Sequence, residues 1–296
     1  MKPMSILRRL ARRPTLASAA LAPALAAVLA VLPLPALAEL MLYPTRVVFI
    51  KNQRAAQVEL INNSAEPATY RISVVNRRMS EAGDFLNVTE AGPGEQFADS
   101  MLIWSPRQIT LQPGTAQVVR LMVRKSDPLP EGEYRSHLHL EKLAPAAKLA
   151  SSAEPDRKAE TRIGVVLKTL VGASIPVIVR HGATHATVAL SQLALASHEH
   201  ANGGKGRVLA FAIERAGNSS VYGDVSVSFT PRGAAELQLA KASGVAVYTP
   251  NPLRRAALAL QLPPGIALAN GQLRLVYRER PENGGKLLAE ATLALP

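Results

Sequence analysis

Apolar residues recur at every second position along most of the chain beyond residue 38, in short runs. This period of two, punctuated by Gly, Pro and Asn, is typical of half-buried β-strands rather than of amphipathic helices. In the first half of this region the pattern predicts seven strands, at Leu40–Ile50, Ala55–Ile61, Ala68–Asn76, Met101–Trp104, Ala116–Val123, Glu133–Glu141 and Arg162–Val179.

A second series of short strands follows a break at His181-Gly182. Turns rich in Gly and Pro join these strands without helices. We therefore predict an all-β protein of two immunoglobulin-like β-sandwich domains, residues 39–181 and 182–296. The strands predicted in the second domain are Thr184–Leu195, Arg207–Glu214, Gly223–Phe229, Ala242–Tyr248, Arg255–Leu260, Gln272–Arg278 and Leu287–Leu293.

The first 38 residues have the pattern of an export signal. Basic residues precede an apolar run from about Leu16 to Leu34, and Ala36-Leu37-Ala38 provides a small-x-small cleavage site. Three prolines interrupt the run, and no basic stop-transfer residues follow it, which argues against a membrane anchor. We predict a signal peptide, 1–38, cleaved before Glu39, so that the mature chain is not stably inserted in a membrane.

Charge and composition narrow the class of partner. The leader holds five of the 34 Lys and Arg residues and none of the 22 Asp and Glu residues, which leaves 29 against 22, a net charge of +7. Aromatic residues make up only 4% of the chain, so little material is available for stacking on bases. We expect no nucleic-acid partner, and the remaining positive charge is suited to an acidic protein partner.

Catalytic motifs are missing from the sequence. The chain has no Cys, no Gly-x-Ser-x-Gly elbow and no phosphate-binding Gly-x-x-x-x-Gly-Lys loop, so we expect neither an enzyme nor a cofactor.

Two pairs of histidines suggest a metal-binding function instead. His137 and His139 are two residues apart on a predicted strand, and His198 and His200 repeat that spacing. An exported copper- or zinc-binding module is therefore the second hypothesis, although two histidines without a third ligand do not form a site.

Several motifs follow one another in a recognisable order. A Thr-Arg pair, Thr45-Arg46, is followed by β-branched and aromatic residues in Val47-Val48-Phe49. In these motifs the chain resembles the PapD-like periplasmic pilus-assembly chaperones, and more closely their non-classical branches for spore-coat-like or archaic fimbriae. The resemblance covers residues 40–180 through further motifs at 58–63, 105–107, 111–114, 118–120, 129–135 and 175–180, and reaches the second domain mainly at 215–218.

The resemblance implies two domains in an L-shaped arrangement and a chaperone function in the periplasm. Such a chaperone stabilises incomplete immunoglobulin-like pilus or spore-coat-like subunits by donor-strand complementation, a form of β-augmentation, and delivers them to an outer-membrane usher. The donor strand here would be 162–179, preceded by a loop, 144–160, that we expect to be mobile. Its inserting side chains would be Ile163, Val165, Leu167 and Val171, with Thr169 as a polar interruption.

Arg46 is the residue that the resemblance singles out, since the family's first-strand arginine lies in the cleft between domains and binds the C-terminal carboxylate of the subunit. A guanidinium can donate hydrogen bonds to both carboxylate oxygens at once. The family pairs this arginine with a lysine on the long strand, where Pro176 stands in this chain. Lys168 or Arg135 could supply the second basic group.

Two further sequence predictions concern packing. We expect the last part of the long strand, Ile175–Val179, and the single tryptophan, Trp104, to pack in this protein's own core. We expect Arg254-Arg255 to lie at a solvated strand end.

Overall fold

A computed structural model describes residues 39–144, 172–199 and 205–296 of the chain. The predicted signal peptide, nearly all of the predicted loop, the donor-strand residues from Ile163 to Val171, Lys168 and His200 lie outside these residues. In the described part the all-β prediction is confirmed. Its elements are strands β1 Leu40–Tyr43, β2 Val47–Phe49, β3 Ala55–Asn62, β4 Ala68–Met79, β5 Phe85–Val88, β6 Leu102–Ser105, β7 Gln108–Leu111, β8 Ala116–Val123, β9 Gly132–Lys142, β10 Gly172–His181, β11 Ala186–Glu199, β12 Lys205–Gly217, β13 Val221–Pro231, β14 Leu237–Val247, β15 Leu253–Leu260, β16 Gly271–Glu279 and β17 Leu287–Leu295, with short 3-10 helices at Asp99–Met101 and Pro281–Asn283.

The first sandwich packs a four-stranded sheet against a larger one. The smaller sheet has the order β1-β3-β8-β6. The larger, called the large sheet below, has the order β2-β10-β9-β4, and β5 and β7 both pair with β4. Alternation along each strand sends every second side chain inward. The resulting core includes Val58, Leu60, Val119 and Leu121 from the smaller sheet and Tyr70, Ile72, Leu138, Leu140, Ile175, Val177 and Val179 from the large sheet.

The predicted strand Leu40–Ile50 is wrong as a single element. β1 pairs antiparallel with β3 in the smaller sheet, whereas β2 pairs parallel with β10 in the large sheet. Pro44 lies between them, and proline has no N–H to donate to a ladder, so the strand is interrupted where the chain changes sheets. This crossing places Arg46 directly before β2.

The second sandwich has the sheets β11-β12-β15 and β14-β13-β16-β17. Every strand predicted in this half is present, and each is longer than predicted. Their inward side chains form a second core, which includes Leu209, Phe211 and Ile213 from β12 and Val225, Val227, Phe229, Leu273, Leu275 and Tyr277 from β13 and β16.

Polar contacts join the two sandwiches. The buried carboxylate of Glu133 on β9 accepts hydrogen bonds from Arg180 Nε at 3.0 Å, from the Ser220 backbone N–H at 3.0 Å and from the Ser220 hydroxyl. Ile178 of β10 and Met79 of β4 pack in the second core rather than the first. The side of the large sheet that points away from its own core is therefore partly covered by the second sandwich.

The packing predictions have mixed outcomes. Trp104 packs against the first core, and its indole N–H donates to the Ile72 carbonyl at 3.0 Å, so that prediction is confirmed. Arg254 is only partly exposed, and its Nη1 donates to the Ala246 carbonyl at 2.7 Å, so the solvated strand end is wrong for this residue. The turn between β4 and β5 lies against it, because a Cβ added at Gly83 would come within 2.4 Å of Arg254 Nη2.

No helix in the part of the chain that the structure describes is long and apolar enough to cross a membrane.

Candidate partner-binding site

The outer face of the large sheet carries an unusual set of side chains. Along β9 the inward residues Tyr134, Leu138 and Leu140 are apolar and Ser136 is hydrogen-bonded, whereas four charged or histidine side chains alternate onto the outer face: Glu133, Arg135, His137 and His139. The register of the neighbouring strands adds further polar residues to the same face. We call the following six residues the outer-face cluster: Arg46, Arg77, Arg135, His137, His139 and Ser174.

Arg46 reaches from this face to the second sandwich. Its Nη1 donates to the Tyr248 hydroxyl at 3.1 Å. Its guanidinium carbon also lies 4.7 Å from the ring centre of Tyr222 and 5.3 Å from that of Tyr248, both within the range of cation–π attraction. Arg46 lines a cleft of about 510 Å³ between the sandwiches, together with Val48 on one side and Tyr222 and Leu288 on the other.

Arg135 lies against the same aromatic ring. Its guanidinium carbon is 4.4 Å from the ring centre of Tyr248, and the residue is only 4% exposed. Burial lowers the pKa of Arg135, and the positive charge of Arg46 lowers it further, while the nearby Tyr248 and Glu133 act in the opposite direction. Two arginines thus hold their charges close together on one tyrosine, and an anion between them would be strongly favoured.

His137 shares this electropositive environment. Burial lowers the pKa of His137 from 6.5 to about 3, with further lowering by the charges of Arg135, Arg77 and Arg46, so the ring is neutral at physiological pH. The ring meets that of Phe85 edge to face, with 5.2 Å between the centres. A neutral imidazole can still donate one N–H to a bound ligand.

Several buried polar atoms on this face have no hydrogen-bond partner among the described residues. Buried polar atoms normally find partners, because an unsatisfied one costs about 1–3 kcal/mol. Among the described residues, the buried side-chain atoms without a partner include six in the outer-face cluster: Arg77 Nε, Arg135 Nε, Arg135 Nη1, His137 Nδ1, His139 Nδ1 and Ser174 Oγ. This set suits a ligand with several acceptor oxygens, of which a carboxylate is the simplest.

An open strand edge lies beside the cluster. β10 pairs with β9 over its whole length, but β2 covers its other edge only at Val177–Val179. Within the described residues, Gly172–Pro176 therefore has a strand partner on one side only. Ile175, Val177 and Val179 are buried in the first core, as predicted for this part of the strand.

The structure brings together some of the predicted site residues and adds others. Arg46 and Arg135, one of the two candidates for its basic partner, both contact Tyr248, while the predicted donor residues and Lys168 lie outside the described residues. Tyr248 was not predicted to take part in the site, nor were Phe85 and Arg77. Only the alternation of polar residues along β9 could have indicated this face.

The metal hypothesis gains no support at His137 and His139. Both side chains lie on the outer face, but the nearby charges of Arg77 and Arg135 lower the pKa of His137 and would also repel a metal cation. No group of three or more His, Asp or Glu side chains that could hold a metal ion occurs in residues 39–144, 172–199 and 205–296.

Comparison with known proteins gives structural similarity only. No family model and no curated protein matches the chain. One similar solved structure is the pre-assembly complex of the chaperone CsuC with the tip adhesion subunit CsuE, from archaic chaperone-usher Csu pili of Acinetobacter baumannii, at 13% identity and a TM-score of 0.44, covering 88% of this chain and 100% of that chain. The Pseudomonas aeruginosa CupB2 chaperone follows at 15% identity and a TM-score of 0.41, covering 86% and 100%. Because these TM-scores lie below 0.5, the function proposed next depends on the residues of the site.

Proposed function

We propose that this protein is a periplasmic chaperone for pilus subunits. It would bind an incomplete immunoglobulin-like subunit, stabilise it by donor-strand complementation and deliver it to an outer-membrane usher. The proposal joins the sequence motifs around Arg46 to one structural observation. Arg46 and Arg135 both contact Tyr248 beside an open edge of β10, and the buried Nε and Nη1 of Arg135 have no hydrogen-bond partner among the described residues.

The two arginines provide the anchor in this proposal. A carboxylate bound between them would accept the N–H groups of Arg135 that have no partner, and its negative charge would relieve the repulsion between the two guanidinium groups. Charge-assisted, bidentate hydrogen bonds of this kind are among the strongest in proteins. Arg135 then takes the role for which the resemblance offered a lysine, at the position occupied by Pro176.

The open edge of β10 provides the second element. A subunit anchored by its C-terminal carboxylate could add its own strand along Gly172–Pro176, where the backbone groups of one edge face no strand among the described residues. Backbone hydrogen bonds give affinity in such β-augmentation, and alternate side chains give specificity. The apolar row from Ile163 to Val171 would continue this edge and fill the groove of the subunit.

Co-expression in the periplasm with the subunits encoded beside this chaperone tests the proposal. The wild-type chain should co-purify with a subunit in a one-to-one complex, measured by native mass spectrometry. Arg46→Ala should reduce the recovered complex at least about tenfold, because a charge pair with hydrogen bonds is lost at the anchor, while the chaperone itself stays folded. The paired change Leu167→Ser and Val171→Ser should act similarly through the groove.

Arg120→Ala is the matched control for Arg46→Ala, because Arg120 is an exposed strand arginine on β8, in the smaller sheet. It should capture the subunit as the wild type does. If the Arg46 variant and the donor-strand variant both captured and protected the subunit as well as this control, donor-strand complementation would be the wrong mechanism.

A further inference from the structure

A pocket of about 890 Å³ forms where three connecting segments of the first sandwich meet. It contains none of the six residues of the outer-face cluster, but it adjoins the cleft that Arg46 lines and shares Ile50, Arg180 and Thr184 with it. Its lining comes from the turn after β2 (50–54), the segment after β8 (123–129) and the link from β10 to β11 (180–184). It therefore borders the junction through which the chain passes from one sandwich to the next.

Positive charge dominates this pocket. Five Lys or Arg residues line it against one acidic residue, Asp127. Arg180 is already paired with Glu133. Over the ranges that the structure describes, the side chains of Lys51, Arg54 and Arg124 take part in neither a salt bridge nor a hydrogen bond.

Lys125 shows that these charges act on one another. Its Nζ donates to the Arg180 carbonyl at 3.0 Å, which fixes the ammonium group at the wall of the pocket. Burial lowers the pKa of Lys125, and the charge of Arg54 lowers it further. Like charges thus lie close together with Asp127 as the one acidic residue in the lining, so a bound anion would be favoured here by several groups at once.

The walls also include apolar surface. Ile50 is 47% exposed and Leu129 is partly exposed, and both line the pocket. A phosphate group would use the cations but not these side chains. A peptide segment that carries both acidic and apolar residues would use both, and a pocket of about 890 Å³ has room for several residues.

We propose that this pocket binds an acidic segment of a protein partner. Carboxylates of the segment pair with Lys51, Arg54, Arg124 and Lys125, and an apolar side chain rests on Ile50 and Leu129. The site uses none of the six residues of the outer-face cluster, so either proposal can fail while the other stands.

Fluorescence anisotropy with the whole mature chain tests this site. The probe is a fluorescein-labelled octapeptide of alternating aspartate and leucine residues, and the same peptide with asparagine in place of aspartate should not bind. Binding should weaken steeply with salt, because exposed ion pairs are screened. The double variant Arg54→Gln/Arg124→Gln should bind about tenfold more weakly, since each exposed pair contributes up to about a fivefold change in affinity.

Two comparisons decide the outcome. The double variant Arg120→Gln/Arg232→Gln removes the same charge at exposed arginines that do not line the pocket, and it should bind as the wild type does. Equal binding by the pocket variant and this control overturns the proposal. Displacement of the probe by inositol hexakisphosphate at lower concentration than by unlabelled peptide also overturns it, because the pocket would then be a phosphate site.

Discussion

The two faces of the large sheet belong to the same strands but differ in whether their buried side chains find partners. Its inner face presents side chains such as Tyr70, Leu138 and Val177, which are at most 1% exposed and surrounded by apolar neighbours. One residue away along β9, the outer face presents Arg135 and His137, which are also buried but have hydrogen-bonding atoms without partners. Burial favours folding on the first face and costs free energy on the second. The unsatisfied atoms of the outer face are therefore the basis of the anion site proposed above.

Two buried charged residues of the outer face also differ from each other in their hydrogen bonding. Glu133 and Arg135 are two residues apart on β9, and both are buried. The Glu133 carboxylate accepts hydrogen bonds from Arg180 of the same sheet and from Ser220 of the second sandwich, whereas Arg135 has two nitrogen atoms with no partner in the described residues. The outer face thus has satisfied polar groups at Glu133, where it contacts the second sandwich, and unsatisfied polar atoms at Arg135.

The largest expected effect comes from the inner face. Leu138→Ala removes a fully buried side chain from the first core and should lower the free energy of unfolding by about 2–5 kcal/mol, measured by urea denaturation. His139→Ala, at the next residue along the strand but on the outer face, should cost less than about 1 kcal/mol, because His139 is half-buried with Nδ1 unpartnered. Equal costs would remove the contrast between the faces.

Arg135→Met separates stability from binding on the outer face. Methionine keeps much of the length of the arginine side chain but removes the unpartnered N–H groups, so the free energy of unfolding should stay constant or rise by up to about 2 kcal/mol. Capture of a pilus subunit should nevertheless be lost. Arg120→Met, at an exposed arginine, serves as the control for both measurements. A large loss of stability in Arg135→Met would show that Arg135 is structural.

Much of the fold follows from the period-two pattern. Ala116–Val123 was predicted with its correct bounds, because it alternates cleanly and ends in turns. β5, at Phe85–Val88, was missed, because none of its residues is buried and it shows no alternation of apolar and polar environments. The break between β1 and β2 was missed because a strand that changes sheets keeps its β-propensity on both sides of the crossing.

The site was less predictable than the fold. Arg46 was identified through its Thr-Arg motif, and Arg135 followed as a nearby basic residue on a neighbouring strand. Tyr248, which both arginines contact, lies more than 100 residues further along the chain, and no local pattern links it to them. Arg254 was misjudged for the same reason, since the turn that covers it belongs to the other sandwich.

The smallest expected effect is a pH dependence from His137. The pKa of His137 is about 3 in the folded chain and about 6.5 when unfolded, so the unfolded chain binds more protons below pH 6.5. The stability that depends on neutral His137 is therefore complete above pH 6.5 and is lost as pH falls toward 3. Between pH 7.5 and 5.5 the loss should be about 1.4 kcal/mol, and His137→Gln should remove it, whereas His185→Gln, at an exposed histidine, should not. Urea denaturation at the two pH values measures the difference, and an unchanged pH dependence in the His137 variant would mean that the outer face at β9 is open to water rather than buried.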